Sequence, residues 1–124
     1  MYKISTSKLM ISRHYLPKEQ GKEQKIHSHQ YKVCIMLSGK KLDDNGFLVD
    51  IIEIKKILSA VLKRFSDVTL NDLPEFKDKS ASIENLSKII WDKFTGLLNA
   101  PNIDTVEIRI YENDNNWSSY SGEF

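Results

Sequence analysis

The sequence predicts an α+β domain, with two helices covering one face of an antiparallel sheet. Two stretches, 27–37 and 105–112, alternate apolar and polar residues with the period of a half-buried strand. Between them lie two stretches, 50–65 and 82–97, whose apolar residues recur with helical spacing. A strand-like segment at each end completes the order strand, strand, helix, helix, strand, strand, which favours helices segregated to one side of a sheet.

The first segment, 2–13, is polar but carries Tyr2, Ile4, Leu9, Met10 and Ile11 without a helical stripe, and reads as a strand that turns irregular near its end. Pro17 and Gly21 among charges make 15–24 an exposed loop. From His27 the odd positions are His27, His29, Tyr31, Val33, Ile35 and Leu37, so both histidines project from the apolar face of this strand. Asn45-Gly46 marks a turn. Asp50 with Glu53 three residues later resembles a capping box, and Ile51, Ile54, Leu58, Val61, Leu62 and Phe65 form one stripe behind it. A polar connection over 66–79 leads to Ser82, a good N-cap, and a second stripe of Ile83, Leu86, Ile90, Phe94 and Leu97. Pro101 and Asn102 end that region. Val106, Ile108, Ile110 and Glu112 then share one face of the third strand, and a short final strand runs through Trp117 to Tyr120.

With 124 residues, 40% of them hydrophobic and 28% charged, the chain suits a single folded domain over 1–124 rather than a disordered segment. Eighteen basic against seventeen acidic residues leave a net charge of +1, giving no electrostatic pull toward nucleic acid or an anionic membrane. No apolar run approaches the length of a membrane span, and the first residues lack a secretory core. One cysteine cannot form an internal disulfide. The expectation is a cytoplasmic domain with neither nucleic acid nor membrane as partner.

All three histidines, His14, His27 and His29, fall within sixteen residues. His-x-His on a strand puts two imidazoles on one face, and a hairpin from the first strand can return His14 beside them. Three neutral imidazoles suit a catalytic Zn²⁺ with one position left open. The same spacing also occurs in strands that merely carry surface histidines. Glu112 ends an apolar strand face, where it either reaches solvent or meets a ligand presenting a row of N–H groups, such as the amino-pyrimidinone edge of a pterin or purine. Cys34, opposite the histidines in an apolar strand, reads as a small core residue. Glu23, in the loop four residues before His27, is either solvated or within reach of a metal-bound substrate.

Six blocks in order carry a resemblance: Met10-Ile-Ser-Arg-His14; Glu23-Gln-Lys-Ile-His27-Ser-His29; Gly46-Phe-Leu-Val-Asp50-Ile; Ser66-Asp67-Val68-Thr69-Leu70-Asn71-Asp72; Ala81-Ser82-Ile83-Glu84-Asn85 followed by Trp91; and Ile108-Arg-Ile-Tyr-Glu112. Together they resemble the 6-pyruvoyl-tetrahydropterin synthase and 6-carboxytetrahydropterin synthase family over nearly the whole chain. The resemblance implies the tunnelling fold, a four-stranded antiparallel sheet with two helices packed on one face, assembled as a homo-oligomer, usually a hexamer, with sites between subunits. It implies His14, His27 and His29 as zinc ligands, Glu112 as the pterin anchor, and help from Ser82, the Ile83 backbone and Glu84. It further implies a zinc-dependent lyase acting on the side chain of 7,8-dihydroneopterin triphosphate.

Departures from the family pattern bear on the chemistry. Glu23 stands where the usual proton-shuttling cysteine falls, and Val68 replaces the histidine of an Asp-His pair whose Asp67 is kept. Valine transfers no proton. Some relatives with glutamate in place of that cysteine cleave the side chain to 6-hydroxymethyl-dihydropterin, and Glu23 could serve as base for such a cleavage. The expected catalytic residues are therefore Glu23 and Asp67. A pterin- or purine-binding protein that has lost catalysis, and an interaction protein whose histidines hold no metal, are the other two readings.

Overall fold

In the computed structural model, residues 1–17 and 21–124 are described, with the backbone alone at Lys22 and Glu23. Alternation along β2 (His27–Gly39) sets the architecture: Tyr31, Val33, Ile35 and Leu37 are fully buried while Gln30 and Lys32 face solvent. β1 (Tyr2–His14) pairs antiparallel with β2 along its whole length, from Tyr2 opposite Gly39 to His14 opposite His27. β3 (Thr105–Tyr111) pairs with the other edge of β2, and β4 (Trp117–Glu123) with β3, giving the order β1-β2-β3-β4.

The two helices, inserted between β2 and β3, cover the face that bears Met10, Tyr31, Val33, Ile35, Val106, Ile108 and Ile110. α1 (Ile51–Lys63) starts at Asp50, whose carboxylate accepts from the Ile52 amide at 3.0 Å. That amide is one residue short of the capping-box position, and Glu53 in the first turn favours the positive end of the helix dipole. α2 (Ile83–Leu97) starts at Ser82, whose hydroxyl accepts from the Asn85 amide at 3.2 Å. Both buried stripes match the sequence pattern except at Leu97, which is 60% exposed. The helix stops there, Leu98 adopts an extended backbone (ψ 130°), and Leu98 rather than Leu97 enters the core.

Three further details depart from expectation. The connection 66–79 contains two 3-10 turns, Leu70–Asp72 and Pro74–Phe76, that bury Leu70 and Phe76 in the core. The final strand reaches Glu123 rather than ending near Tyr120. Cys34 faces away from the helices, half-buried on the uncovered side of the sheet, where partial burial pushes its thiol pKa up. It is not part of the core cluster, because alternation gives that cluster to its neighbours Val33 and Ile35.

Trp91 locks α2 to the sheet: its indole N–H donates to the Val106 carbonyl at 2.8 Å, and its ring lies over Gly122, where a Cβ would come within 2.9 Å. At Gly39 a Cβ would sit 2.0 Å from the Asn102 carbonyl oxygen. Glu75 ties the ends of both helices together, accepting from the Arg64 guanidinium through both oxygens and from Lys93 at 3.2 Å. Among the described residues no helix is long and apolar enough to cross a membrane.

Two outcomes follow from this packing. Gly39→Ala should destabilise by ~1–3 kcal/mol, because the obstacle is backbone rather than a movable side chain; urea melts check it. The Arg64 pairing lowers the Glu75 carboxyl to about 2, below its ordinary 4.5. Its stabilising contribution is therefore present above the unfolded value and is lost as pH falls toward the folded one. Glu75→Gln should flatten this part of the acid limb when melting temperature is measured between pH 5 and pH 2.

Candidate metal centre

The β1–β2 ladder ends on the rung His14–His27, and His29 follows two residues along the same face. Register alone therefore gathers three imidazoles at one end of the sheet. Ring centroids lie 4.5 Å apart for His14 and His27, 5.0 Å for His14 and His29, and 4.8 Å for His27 and His29. One nitrogen from each ring falls within 4.8 Å of the other two. His14 is buried, whereas His27 and His29 are partly accessible. Tyr31 lies below, its ring 5.4 Å from that of His29.

Backbone carbonyls orient two of the rings. His14 Nδ1 lies 2.8 Å from the Ala81 carbonyl oxygen, and His27 Nδ1 lies 2.7 Å from that of Lys25. A carbonyl only accepts, so both Nδ1 atoms carry the proton. In the neutral rings each Nε2 then presents a lone pair, and the two Nε2 atoms face one another at 2.9 Å. Facing lone pairs repel unless a cation lies between them, either a proton or a metal ion. A carbonyl behind an imidazole, as at His14 and His27, is also the arrangement that fixes ligand tautomers in metal sites. The donor set, one nitrogen from each of three histidines within 4.8 Å of one another, fits a divalent ion such as zinc.

His14 also lines a cleft of about 840 Å³, together with Ser82, Ile83, Glu84, Glu112 and Asn71. Four residues singled out in the sequence thus line the same cleft as one candidate metal ligand. Glu112 is half-buried just beyond β3, and its amide donates to the Asn116 carbonyl at 3.1 Å, closing the β3–β4 turn. Asn85 Nδ2 donates to the Ser80 carbonyl at 2.9 Å and holds the approach to α2. The Ile83 and Glu84 amides at the start of α2 lack intrahelical acceptors, so this rim of the cleft offers N–H donors.

Asp67 lies elsewhere. It is exposed beyond α1 with φ 56°, its amide donates to the Ile11 carbonyl at 2.8 Å, and it is not among the residues that line the cleft. Val68 packs against the core, and its carbonyl accepts from the Arg13 amide at 2.9 Å and the Ser12 hydroxyl at 2.8 Å. The side chain of Glu23 lies outside the described residues.

A family model for 6-pyruvoyl tetrahydropterin synthase matches residues 3–123. The chain belongs to this family. The 6-pyruvoyl tetrahydrobiopterin synthase of Dictyostelium discoideum is 35% identical over 106 residues, covering 83% of this chain and 76% of that protein. The 6-carboxy-5,6,7,8-tetrahydropterin synthase of Bacillus subtilis is 33% identical over 99 residues, covering 76% of this chain and 62% of that one. Among solved structures, the Caenorhabditis elegans 6-pyruvoyl tetrahydropterin synthase superposes with a TM-score of 0.79 at 22% identity, covering 98% of this chain and 95% of its own, and shares the fold.

Sequence reasoning found the three histidines of this synthase-family member but missed what holds them. The Ala81 and Lys25 carbonyls are backbone groups with no side-chain signature. Asn71, whose amide bonds the main chain beside His14, carried only a place in a motif. Removing each ring should cost differently in the metal-free protein. His14→Ala strands the Ala81 carbonyl behind a buried side chain, an expected loss of about 1–3 kcal/mol. His27→Ala frees a carbonyl at an exposed bond and should cost clearly less in parallel urea melts.

Proposed function

We propose that the protein is a zinc-dependent enzyme of pterin biosynthesis acting on the side chain of 7,8-dihydroneopterin triphosphate. The observation that carries this reading is the shared cleft: His14, one of three clustered histidines, lines it together with Glu112, Ser82, Ile83 and Glu84. The names of the related synthases support the substrate class. The Glu112 carboxylate accepts from the N–H edge of the pterin, and the N-terminal turn of α2, with Ser82, Glu84 and the Ile83 backbone, meets the same ring. His14, His27 and His29 hold the ion. Zinc supplies Lewis-acid polarisation of the side-chain oxygens when bound.

Proton transfer falls to Glu23 and Asp67. Glu23 removes a side-chain hydroxyl proton; the adjacent carbon–carbon bond breaks in a retro-aldol sense, the hydroxyl-bearing fragment leaves as an aldehyde carrying the triphosphate, and the ring-side carbon takes up a proton to give 6-hydroxymethyl-dihydropterin. A Plasmodium vivax 6-pyruvoyltetrahydropterin synthase solved as a variant at a catalytic glutamate supports a carboxylate in such a role. Asp67 lies outside the cleft of its own chain and so would serve the cleft of a neighbouring copy. That requires a homo-oligomer, for which the uncovered sheet face, with Leu9, Ile11 and Trp117 exposed, provides a surface.

A second reading, a pterin- or purine-binding protein with impaired catalysis, is favoured by Val68, whose apolar side chain packs where the family carries a histidine. Metal analysis and product analysis of one sample separate the two. One zinc per chain and a new pterin product support the enzyme; zinc without a product supports the binding protein; a folded sample without zinc overturns both. Glu23→Gln should keep zinc and pterin affinity while abolishing turnover, and an unchanged rate removes Glu23 from the mechanism. Glu112→Gln should weaken pterin binding about 10–100-fold in a calorimetric titration, the worth of a hydrogen bond to a charged group.

A further inference from the structure

We propose that Asn71 is a positioning residue for the metal centre, setting the direction of His14 by clamping the peptide units that follow it. This rests on the metal reading of the three histidines. Asn71 stands on the 3-10 turn Leu70–Asp72 and lines the cleft, yet its carboxamide is committed to the main chain. The Tyr15 amide donates to Asn71 Oδ1 at 3.0 Å, and Asn71 Nδ2 donates to the Tyr15 carbonyl at 2.9 Å.

These two bonds replace a missing rung. The β1–β2 ladder ends at His14–His27, so Tyr15 is the first residue without a strand partner. Asn71 gives Tyr15 both a donor and an acceptor, as a neighbouring strand would. On the N-terminal side of His14, the Arg13 amide donates to the Val68 carbonyl at 2.9 Å, a parallel bridge with Thr69 that Asn71 extends past the end of the sheet. His14 is thus held on both sides along the chain, and the Ala81 carbonyl holds its ring. With backbone and ring both fixed, the direction of His14 Nε2 toward His27 is set by the protein's own hydrogen bonds. Preorganisation of this kind acts on metal affinity, because the ion then orders nothing on binding.

Cobalt(II) is the probe, since its visible spectrum reports coordination geometry and its affinity is measurable by chelator competition. Asn71→Ala should bind Co²⁺ about 10-fold more weakly than the unaltered protein, with an altered visible band, when both are folded. Asn71→Asp keeps the acceptor for the Tyr15 amide and loses the donor to its carbonyl; it should recover part of the affinity, and it carries the test if the alanine variant does not fold. Ser66→Ala removes a hydrogen bond to the Leu62 carbonyl on the same connection and serves as a control for stability. It should lower the melting temperature while leaving Co²⁺ affinity and spectrum unchanged. Unchanged affinity and spectrum in the Asn71 variants overturn the proposal while the metal reading stands. An unaltered protein that takes up no Co²⁺ overturns the metal reading and this inference together.

Discussion

Antiparallel pairing of β1 with β2 places His14 and His27 on the last rung of a long hairpin, and the strand period adds His29 to the same face. With both Nδ1 protons committed to carbonyls, the Nε2 atoms of His14 and His27 face each other at 2.9 Å. Such a contact between neutral rings is unfavourable without an intervening cation. The remainder of the site is arranged around that point, and a one-residue slip of the hairpin would turn one set of ligands to the opposite face.

The helix layer connects this centre to the ligand cleft. The Ala81 carbonyl that holds His14 immediately precedes the Ser82 cap of α2, so one short segment serves both the imidazole and the rim of the cleft. Glu112, in the turn just beyond β3, lines the same cleft. Far from this end, Trp91 fixes α2 on the sheet through its bond to Val106 and its close approach to Gly122, and Gly39 lies against the Asn102 carbonyl of the loop before β3. The first turn of the same helix lines the cleft.

Much of this could be read from residue order alone. Alternation located β2 and β3, helical spacing located α1 and α2, and the clustering of His14, His27 and His29 gave the candidate metal centre. Period-two spacing assigned Glu112 to the apolar face of β3, but the strand ends at Tyr111 and Glu112 lies in the turn beyond it, lining the cleft. Less visible was whatever depended on register or on backbone groups. Leu97 fits the apolar stripe but falls where α2 ends, and nothing local shows that Leu98 will turn inward instead. Cys34 sits among apolar neighbours, and only the covering of a single sheet face separates it from the core. Leu70 and Phe76 lie in a polar connection whose burial depends on packing against distant elements. Asn71 carries no sign that both ends of its amide meet the chain beside His14, since its partner is 56 residues away.

The central claim is that three imidazole nitrogens hold one zinc ion beside the cleft. Zinc-edge X-ray absorption on the protein as purified tests it most directly. Three nitrogen scatterers with the imidazole signature at about 2.0–2.1 Å, completed by light oxygen atoms, are the predicted result. A shell made only of oxygen, or one containing sulfur from Cys34, would contradict it.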